Sequence, residues 1–380
     1  MKILFITGYA PSLINFRSHL LKALLKEKNN ITAISRITKI DNSIKAKLKL
    51  IGVKFLPIYI SHKIKNPILE GFSIISIGIR IIQVRPDTIF VYSPKPIIYT
   101  GIITRIIKKL KIIKDFKVVV LVTGLGYTFT SSKNNKLYNL AIIQLAKFGF
   151  KKLDKIIFQN SDDKNYLSKK NILSEKSKIF RVNGSGVDLN YYSYSPKKEK
   201  KEKVFLMLSR LLIDKGILEY VKAAKLIKKK YPNVIFNLAG MSYEGSRAIN
   251  IKKVKDWDEE KIINYLGLLS DVKNSLVNCD FYVLPSFYKE GIPRSLMEAM
   301  AIGRPIITTN STGCRECILD NINGYMIKPR DHISLYKAME KMIIQEKSIT
   351  KRMGLESRKL AEQKFNINNI NNEMIGIIKS

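Results

Sequence analysis

The sequence predicts an α/β protein of two domains, each a parallel sheet with crossover helices. Short β-branched runs alternate with longer stretches of helical periodicity, the pattern of parallel strands buried on both faces. At 380 residues the chain exceeds what one ordinary hydrophobic core holds. A charged run without core residues, Ser195-Pro196-Lys-Lys-Glu-Lys-Lys-Glu-Lys203, lies near the middle, and the alternation starts afresh beyond it. Domains are therefore expected at 1–190 and 204–365, with a linker at 191–203 and a last helix at 366–380.

In the first half, strands are expected at Lys2–Thr7, Ile31–Ser35, Lys54–Ile60, Thr88–Val91, Lys117–Val122, Lys155–Phe158 and Ile179–Arg181. Helices are expected between them at Phe16–Lys28, Pro67–Val84, Gly101–Leu110, Lys136–Leu153 and Asp162–Leu167. In an open α/β sheet the ligand crevice lies at the carboxyl ends of the strands. Three loops fall there: Gly8-Tyr9-Ala10-Pro11-Ser12, Tyr92-Ser93-Pro94-Lys95-Pro96 and Thr123-Gly124-Leu125-Gly126-Tyr127. The first leads into Asn15-Phe16-Arg17, read as the opening of a helix.

The second half opens on a strand, Val204–Ser209, followed by Arg210-Leu-Leu-Ile-Asp214-Lys215-Gly216 and a helix to about Lys230. Further strands are expected at Val234–Ala239, ending in Gly240, at Ile262–Leu266 and at Phe281–Leu284. A turn and short strand follow at Asp320–Pro329, then helices at His332–Gln345, Ile349–Lys364 and Ile367–Lys379.

Composition narrows the function. The chain carries 67 Lys and Arg against 31 Asp and Glu, a formal net charge of +36. Residues 1–190 hold 34 of those cations and 10 of the acids, a net of +24. Such an excess attracts nucleic acid, anionic lipid headgroups or phosphorylated substrates. No helix-turn-helix, zinc finger or aromatic nucleic-acid module is visible, so nucleic acid is not expected as a partner. No apolar run reaches 18 residues without a charge, and the sequence starts directly on a strand, so a cytoplasmic protein is expected. Two cationic amphipathic segments, Ile97–Lys114 and Lys136–Leu153, offer docking on an anionic leaflet or are crossover helices with solvated outer faces. Three cysteines cannot make a disulfide framework, and Cys314-Arg-Glu-Cys317 has no second pair to complete a metal site. His19, His62 and His332 are too few for a dedicated site, and no metal is expected.

The most informative stretch runs from Ser286 to Pro305. A strand feeds the turn Glu290-Gly291-Ile292-Pro293, and a helical pattern from Arg294 follows, stopped by Gly303 and Pro305. Glu290 falls on the loop and Glu298 inside the helix, with seven residues between them. The helix N-terminus suits a diphosphate, and a carboxylate suits a diol, accepting two hydroxyl hydrogen bonds. Phosphate at one end and hydroxyls at the other describe a sugar nucleotide. Arg210 and Lys215, at a strand mouth and a helix start, suit the charge of a diphosphate leaving group, though taken alone they read first as a surface pair.

This spacing resembles the Glu-x7-Glu motif of the retaining family-4 glycosyltransferases. The likeness extends through Glu290-Gly291-x-Pro293, Glu298-Ala299-Met300-Ala301-x-Gly303-x-Pro305 and Gly313-Cys314-Arg315-Glu316. The resemblance implies the GT-B fold, two Rossmann-like domains facing across a cleft, with the last helix crossing back to the first domain. The strand-end loops at Tyr92–Pro96 and Thr123–Tyr127 are similar to those of a bacterial subgroup that builds capsule, O-antigen and related glycans on undecaprenyl diphosphate. The reaction so implied moves a hexose or N-acetylhexosamine from a UDP-sugar to a lipid-diphosphate-linked saccharide with retention, without a cofactor or metal, at the inner face of the cytoplasmic membrane.

By the same resemblance Glu290, Arg210 and Lys215 take catalytic roles. Gly8, Gly124, Arg210, Lys215, Gly240, Glu290, Gly291, Ile292, Pro293, Leu296 and Glu298 contact the donor, Glu298 through ribose hydroxyls. Asn15, Arg17 and Lys95 are the acceptor-side candidates, the first two being otherwise a helix N-cap and a surface charge. Many members carry a histidine before the glycine of the Thr123–Tyr127 loop, where this chain has Thr123. Lys95 either compensates electrostatically or is a rim lysine. Two other classes stay open, a GT-B sugar-nucleotide epimerase and a non-catalytic basic adaptor for membrane or nucleic acid.

Overall fold

The computed structural model describes residues 1–36, 41–61, 66–113, 115–126, 136–197, 202–243 and 245–380, the side chains of 41 and 136–139 excepted. Tyr127, His62, Lys114, the Leu137 side chain and the middle of the charged run, 198–201, lie outside the described residues. The chain divides into two units, Met1–Ser185 with Asn369–Ser380, and Gly186–Asn368.

The first unit runs β1 (Lys2–Thr7), α1 (Pro11–Lys26), β2 (Asn30–Arg36), α2 (Asp41–Leu50), β3 (Lys54–Ile58), α3 (Pro67–Val84), β4 (Thr88–Tyr92), α4 (Pro94–Lys109), β5 (Lys117–Val122), α5 (Lys136–Phe150), β6 (Lys155–Phe158), α6 (Ser161–Lys169) and β7 (Lys178–Arg181). Its seven strands are all parallel, in the order β3-β2-β1-β4-β5-β6-β7. Pro57 sits in β3, which forms the sheet edge, where a missing N–H breaks no ladder.

Three helices start earlier or more sharply than apolar periodicity alone suggests, and the reason is proline. Pro11, Pro67 and Pro94 occupy the first turn of α1, α3 and α4, where their fixed φ is preorganised and no N–H is required. Helix α1 therefore begins at Pro11, five residues before the expected Phe16. Asn15 lies exposed within it and is not its N-cap, a position held by Ala10. Helix α4 begins at Pro94 where Gly101 was expected.

The second unit runs β8 (Val204–Leu208), α7 (Ile217–Lys230), β9 (Ile235–Ala239), α8 (Ile251–Glu259), β10 (Asn264–Tyr265), α9 (Lys273–Asn278), β11 (Phe281–Leu284), α10 (Arg294–Ile302), β12 (Ile306–Thr309), β13 (Gly324–Ile327), α11 (His332–Ile344) and α12 (Lys347–Phe365). Its strands are parallel in the order β10-β9-β8-β11-β12-β13, the same reversal about the first strand seen in the first unit. A core built on Phe205, Phe236, Phe281, Leu296 and Met300 fills the space between sheet and helices.

The last helix, α13 (Ile367–Lys379), packs Ile370, Met374, Ile375, Ile377 and Ile378 into the core of the first unit with Ile3, Phe5, Phe90 and Ile157. Buried Lys155 donates to the Ile377 carbonyl at 2.7 Å, a cation at a helix C-terminus. Burial pushes its ammonium below the usual lysine range.

The expected linker is only partly one. Tyr192 is buried in the second unit's core, and Ser195 N donates to the Ile302 carbonyl at 3.1 Å.

Candidate active site

In the second unit the strand order reverses between β8 and β11. The segments leaving their carboxyl ends run to opposite sides, and the point between them is where open α/β sheets bind ligands. Residues Ser209–Gly216 leave β8 and Pro285–Pro293 leave β11. They are stitched together by Phe287 N donating to the Asp214 carbonyl at 2.9 Å. Two glycines allow the approach. A Cβ on Gly216 (φ +79°) would sit 2.2 Å from the Pro285 carbonyl oxygen, and one on Gly313 (φ +79°) would sit 1.8 Å from that of Gly291. Only glycine combines that backbone conformation with that contact. Gly240, at the end of β9, is packed against Ser209, and its N–H donates to the Gly267 carbonyl at 2.8 Å.

The stitching brings Lys215 onto Glu290. The Lys215 ammonium donates to both carboxylate oxygens, at 2.7 and 2.6 Å, and Ser286 Oγ donates to Oε1 at 2.9 Å. Both side chains are largely withdrawn from solvent, at 9% and 17% exposure. A buried pair of this kind is costly to break from one side, because the remaining charge has no solvent to turn to.

Glu298 lies on the buried face of α10 and accepts from Arg294 Nε at 2.7 Å, one helical turn earlier. It also accepts from the Tyr192 hydroxyl. Burial pushes the Glu298 carboxyl above the usual carboxylate range, and the Arg294 guanidinium and Tyr192 hydroxyl pull it part of the way back. Burial, then the Glu298 charge, raises the Tyr192 phenol. Tyr192 was not visible as a site residue, since it sits in what composition marks as linker.

Gly291, Ile292 and Pro293 are buried where the loop enters α10. Pro293 is the N-cap and makes no side-chain cap hydrogen bond to the first turn of α10. The Leu296 side chain is fully buried in the core. What Leu296 offers at the helix start is its backbone N–H.

Arg210 is exposed, with its guanidinium over the Tyr243 ring at 5.6 Å. A further cation, not picked out from the sequence, is Arg247, which pairs with Asp214 and lies 5.5 Å from the centre of the Tyr288 ring. The Lys215 ammonium is also 5.5 Å from that ring. Three cations thus surround the exits of β8 and β11, and with Lys215 paired to Glu290 and Arg247 to Asp214 they leave a net positive charge at the exposed Arg210 side.

The first unit has its own reversal, between β1 and β4. Gly8 faces Pro96, and Thr7 Oγ1 lies 3.3 Å from Ser93 Oγ. Gly124 is buried at the end of β5. Arg17 is buried and stacks over the Tyr92 ring at 5.3 Å, which overturns its alternative reading as a surface charge. Lys95 is not a rim lysine. It donates to Ser61 Oγ at 2.9 Å and pairs with Glu70 at 3.0 Å, and the Tyr99 hydroxyl donates to the same carboxylate. Burial holds its ammonium below the usual lysine range. Lys108, expected on a solvated or docking face, pairs with Asp154 at 3.1 Å, and most of the apolar face of α4 is core.

Cys314 and Cys317 are buried in a short helical turn after β12, and burial pushes the Cys314 thiol up to about 11. The sequence holds one Asp-x-Asp string, Asp256-Trp257-Asp258. It lies in α8 with Trp257 buried, and Asp258 accepts from Tyr265 N at 3.1 Å.

Known proteins resemble this chain in sequence and in fold. The family profile described as "Glycosyl transferases group 1" matches residues 192–360. The N,N'-diacetylbacillosaminyl-diphospho-undecaprenol alpha-1,3-N-acetylgalactosaminyltransferase of Campylobacter jejuni is 29% identical over 363 residues, 91% of this chain and 90% of that one. The UDP-Gal:alpha-D-GlcNAc-diphosphoundecaprenol alpha-1,3-galactosyltransferase of Escherichia coli is 29% identical over 67% of this chain and 65% of its own. Among solved structures, sucrose-phosphate synthase from Thermosynechococcus elongatus superposes with a TM-score of 0.79 at 15% identity, covering 100% of this chain and 98% of that one. Anabaena HepE in complex with UDP gives 0.76 at 16% identity, with 100% of both chains covered.

The chain is a glycosyltransferase with the GT-B fold. The glycosyl transferases group 1 profile covers most of the unit that carries the Glu-x7-Glu loop.

Proposed function

We propose that this enzyme moves a hexose or N-acetylhexosamine from a UDP-sugar to an undecaprenyl-diphosphate-linked saccharide, with retention of anomeric configuration, in the assembly of a surface glycan. The observation that carries the proposal is the convergence of Arg210, Lys215, Glu290 and the uncapped start of α10 at the β8–β11 reversal. The named transferases similar over most or two thirds of the chain act on diphospho-undecaprenol acceptors, which supports the acceptor class.

In this reading the donor diphosphate lies against Arg210, Lys215 and the N–H groups of Arg294, Ser295 and Leu296, and no metal shares the leaving-group charge. Removing one such donor typically costs on the order of 3 kcal/mol of barrier, about a hundredfold in rate. Lys215 stands between two anions, the departing diphosphate and Glu290. As the glycosidic bond lengthens, negative charge grows on UDP and positive charge on the sugar. Glu290, already held against Lys215, is placed to take sugar hydroxyls and stabilise the oxocarbenium-like centre, while the acceptor hydroxyl enters on the face that UDP leaves. Glu298 takes the ribose hydroxyls. The enzyme works as a peripheral protein on the anionic inner face of the cytoplasmic membrane, to which the +24 of residues 1–190 is attracted.

The test is incubation with a panel of nucleotide sugars, with and without an undecaprenyl-diphosphate-linked saccharide. UDP release and lipid-linked product with the donor's anomeric configuration are expected. Conversion of the donor into a different UDP-sugar without any lipid would overturn the proposal in favour of an epimerase.

A further inference from the structure

Helix α3 is apolar on both sides. One side packs inward through Glu70, Ser73, Ile77, Gly78 and Ile81. The other presents Ile68, Phe72, Ile75, Ile79 and Ile82 to solvent, spaced four, three, four and three residues apart, a single stripe along the helix. Ile68 is 69% exposed, and Phe72 and Ile79 are each 57% exposed. An apolar stripe of this length is not a scatter of single surface residues and marks an interaction surface.

The rotation of the helix that leaves this stripe outside is fixed by two contacts on its inner side. Glu70 is locked by Lys95, Ser61 and Tyr99 between α3 and α4. Gly78 lies so near α4 that a Cβ would come within 2.7 Å of Ile103. Turning α3 to bury the stripe would drag the Glu70 carboxylate into water and break its ion pair. The exposure is built into the packing.

We infer that α3 lies in the plane of an anionic bilayer with this stripe among the upper acyl chains. The charge around it selects that occupant. The helix carries no acidic side chain but buried Glu70, whereas Arg80 on it, Arg85 at its C-cap, and exposed Lys109 and Lys111 at the end of α4 and just after it are cationic. A second copy of this chain would set those cations against their own kind, since the chain carries +36. Anionic headgroups complement them and acyl chains complement the stripe. The helix is long and apolar enough to cross a membrane by length and composition, but its inner side is committed to the first unit's core, so it lies in the interface and does not span it. This assigns docking to α3, where the sequence had pointed to α4 and α5. It rests on the reading of a lipid-linked acceptor, which it deepens by naming the element that meets the lipid.

The test uses the full chain and vesicles of phosphatidylglycerol in phosphatidylethanolamine. A Phe72→Trp variant should show quenching by vesicles with brominated acyl chains, against the constant signal of buried Trp257. Phe72→Ser/Ile75→Ser/Ile79→Ser should lower vesicle partitioning by about tenfold or more and abolish its salt-resistant part, with donor hydrolysis unchanged as proof of fold. Lys109→Glu/Lys111→Glu should remove only the salt-sensitive part. Absence of quenching, or parent-like binding by the serine variant, overturns the proposal. So does a parent dimer that the serine variant turns into a monomer. Quenching in a protein that turns over no nucleotide sugar supports the docking helix and overturns the transferase reading alone.

Discussion

At the scale of single residues, the pair that decides most is Lys215 with Glu290. Lys215→Ala is expected to lower donor turnover at least about tenfold, since the proposed reaction then loses a charged partner of the leaving group. It should also cost on the order of 3 kcal/mol of stability, because Glu290, largely withdrawn from solvent, loses its cation and keeps the Ser286 hydroxyl. Adding Glu290→Gln to that variant should restore most of the stability and none of the turnover, read by urea unfolding and UDP release. Full stability in Lys215→Ala would show that the ion pair is not the strut its burial suggests. Glu298 behaves oppositely. Its carboxyl is raised by burial, so ionising it weakens the fold. A carboxyl raised in the folded state binds its proton more tightly there than when unfolded. The destabilisation therefore grows as pH rises from the ordinary carboxylate value through the raised one, and is absent below both. Glu298→Gln is expected to have a higher Tm than the parent at pH 8, a gain that vanishes towards pH 3, and weaker donor binding at neutral pH. A lower Tm at pH 8 would contradict the burial argument.

At the scale of elements, the glycine contacts make a sharper test than any side chain. Gly216→Ala forces a left-handed residue and a Cβ against the Pro285 carbonyl, and should cost about 2 kcal/mol or more together with most of the turnover. A variant with parent stability would mean that the β8 and β11 exits tolerate separation. Strands such as Lys117–Val122 and Phe281–Leu284 were legible to the residue, because unbroken β-branched and aromatic runs have few other uses. Helix α2 was not. Its Ile-Lys-Ala-Lys-Leu-Lys-Leu string alternates like a strand, and only Ile44 and Leu48, one turn apart, reach the core. Strand β12 was missed because Pro305 masks the start of a four-residue run. The Glu-x7-Glu loop was legible because its residues are local. Tyr192 and Arg247 were not, since each reaches its partner across many residues of sequence, and nothing in the intervening composition records the contact.

At the scale of the whole molecule, the proposed reaction meets the leaving-group charge with protein cations alone. Turnover should survive excess EDTA with at most a small change. Loss that Mg²⁺ or Mn²⁺ restores would contradict that assignment and direct attention to carboxylates now read as hydrogen-bond acceptors. Net charge is a separate lever. With +36 on the chain, association with anionic vesicles should weaken as salt approaches the range where the Debye length is about 8 Å.

Helix α13 has a consequence for how the protein is made. The polypeptide leaves the first unit at Ser185 and returns to it at Asn369, so that unit is discontinuous in sequence. On the ribosome its seven strands emerge early, yet the helix that covers Ile3, Phe5, Phe90 and Ile157 is translated only after the whole of the second unit. For that interval the nascent sheet exposes an apolar surface that a chaperone would recognise. A fragment of residues 1–185 should therefore aggregate when synthesised alone and become soluble when residues 366–380 are supplied in trans as a peptide. A monodisperse, cooperatively unfolding 1–185 fragment would show that the early strands need no such lid.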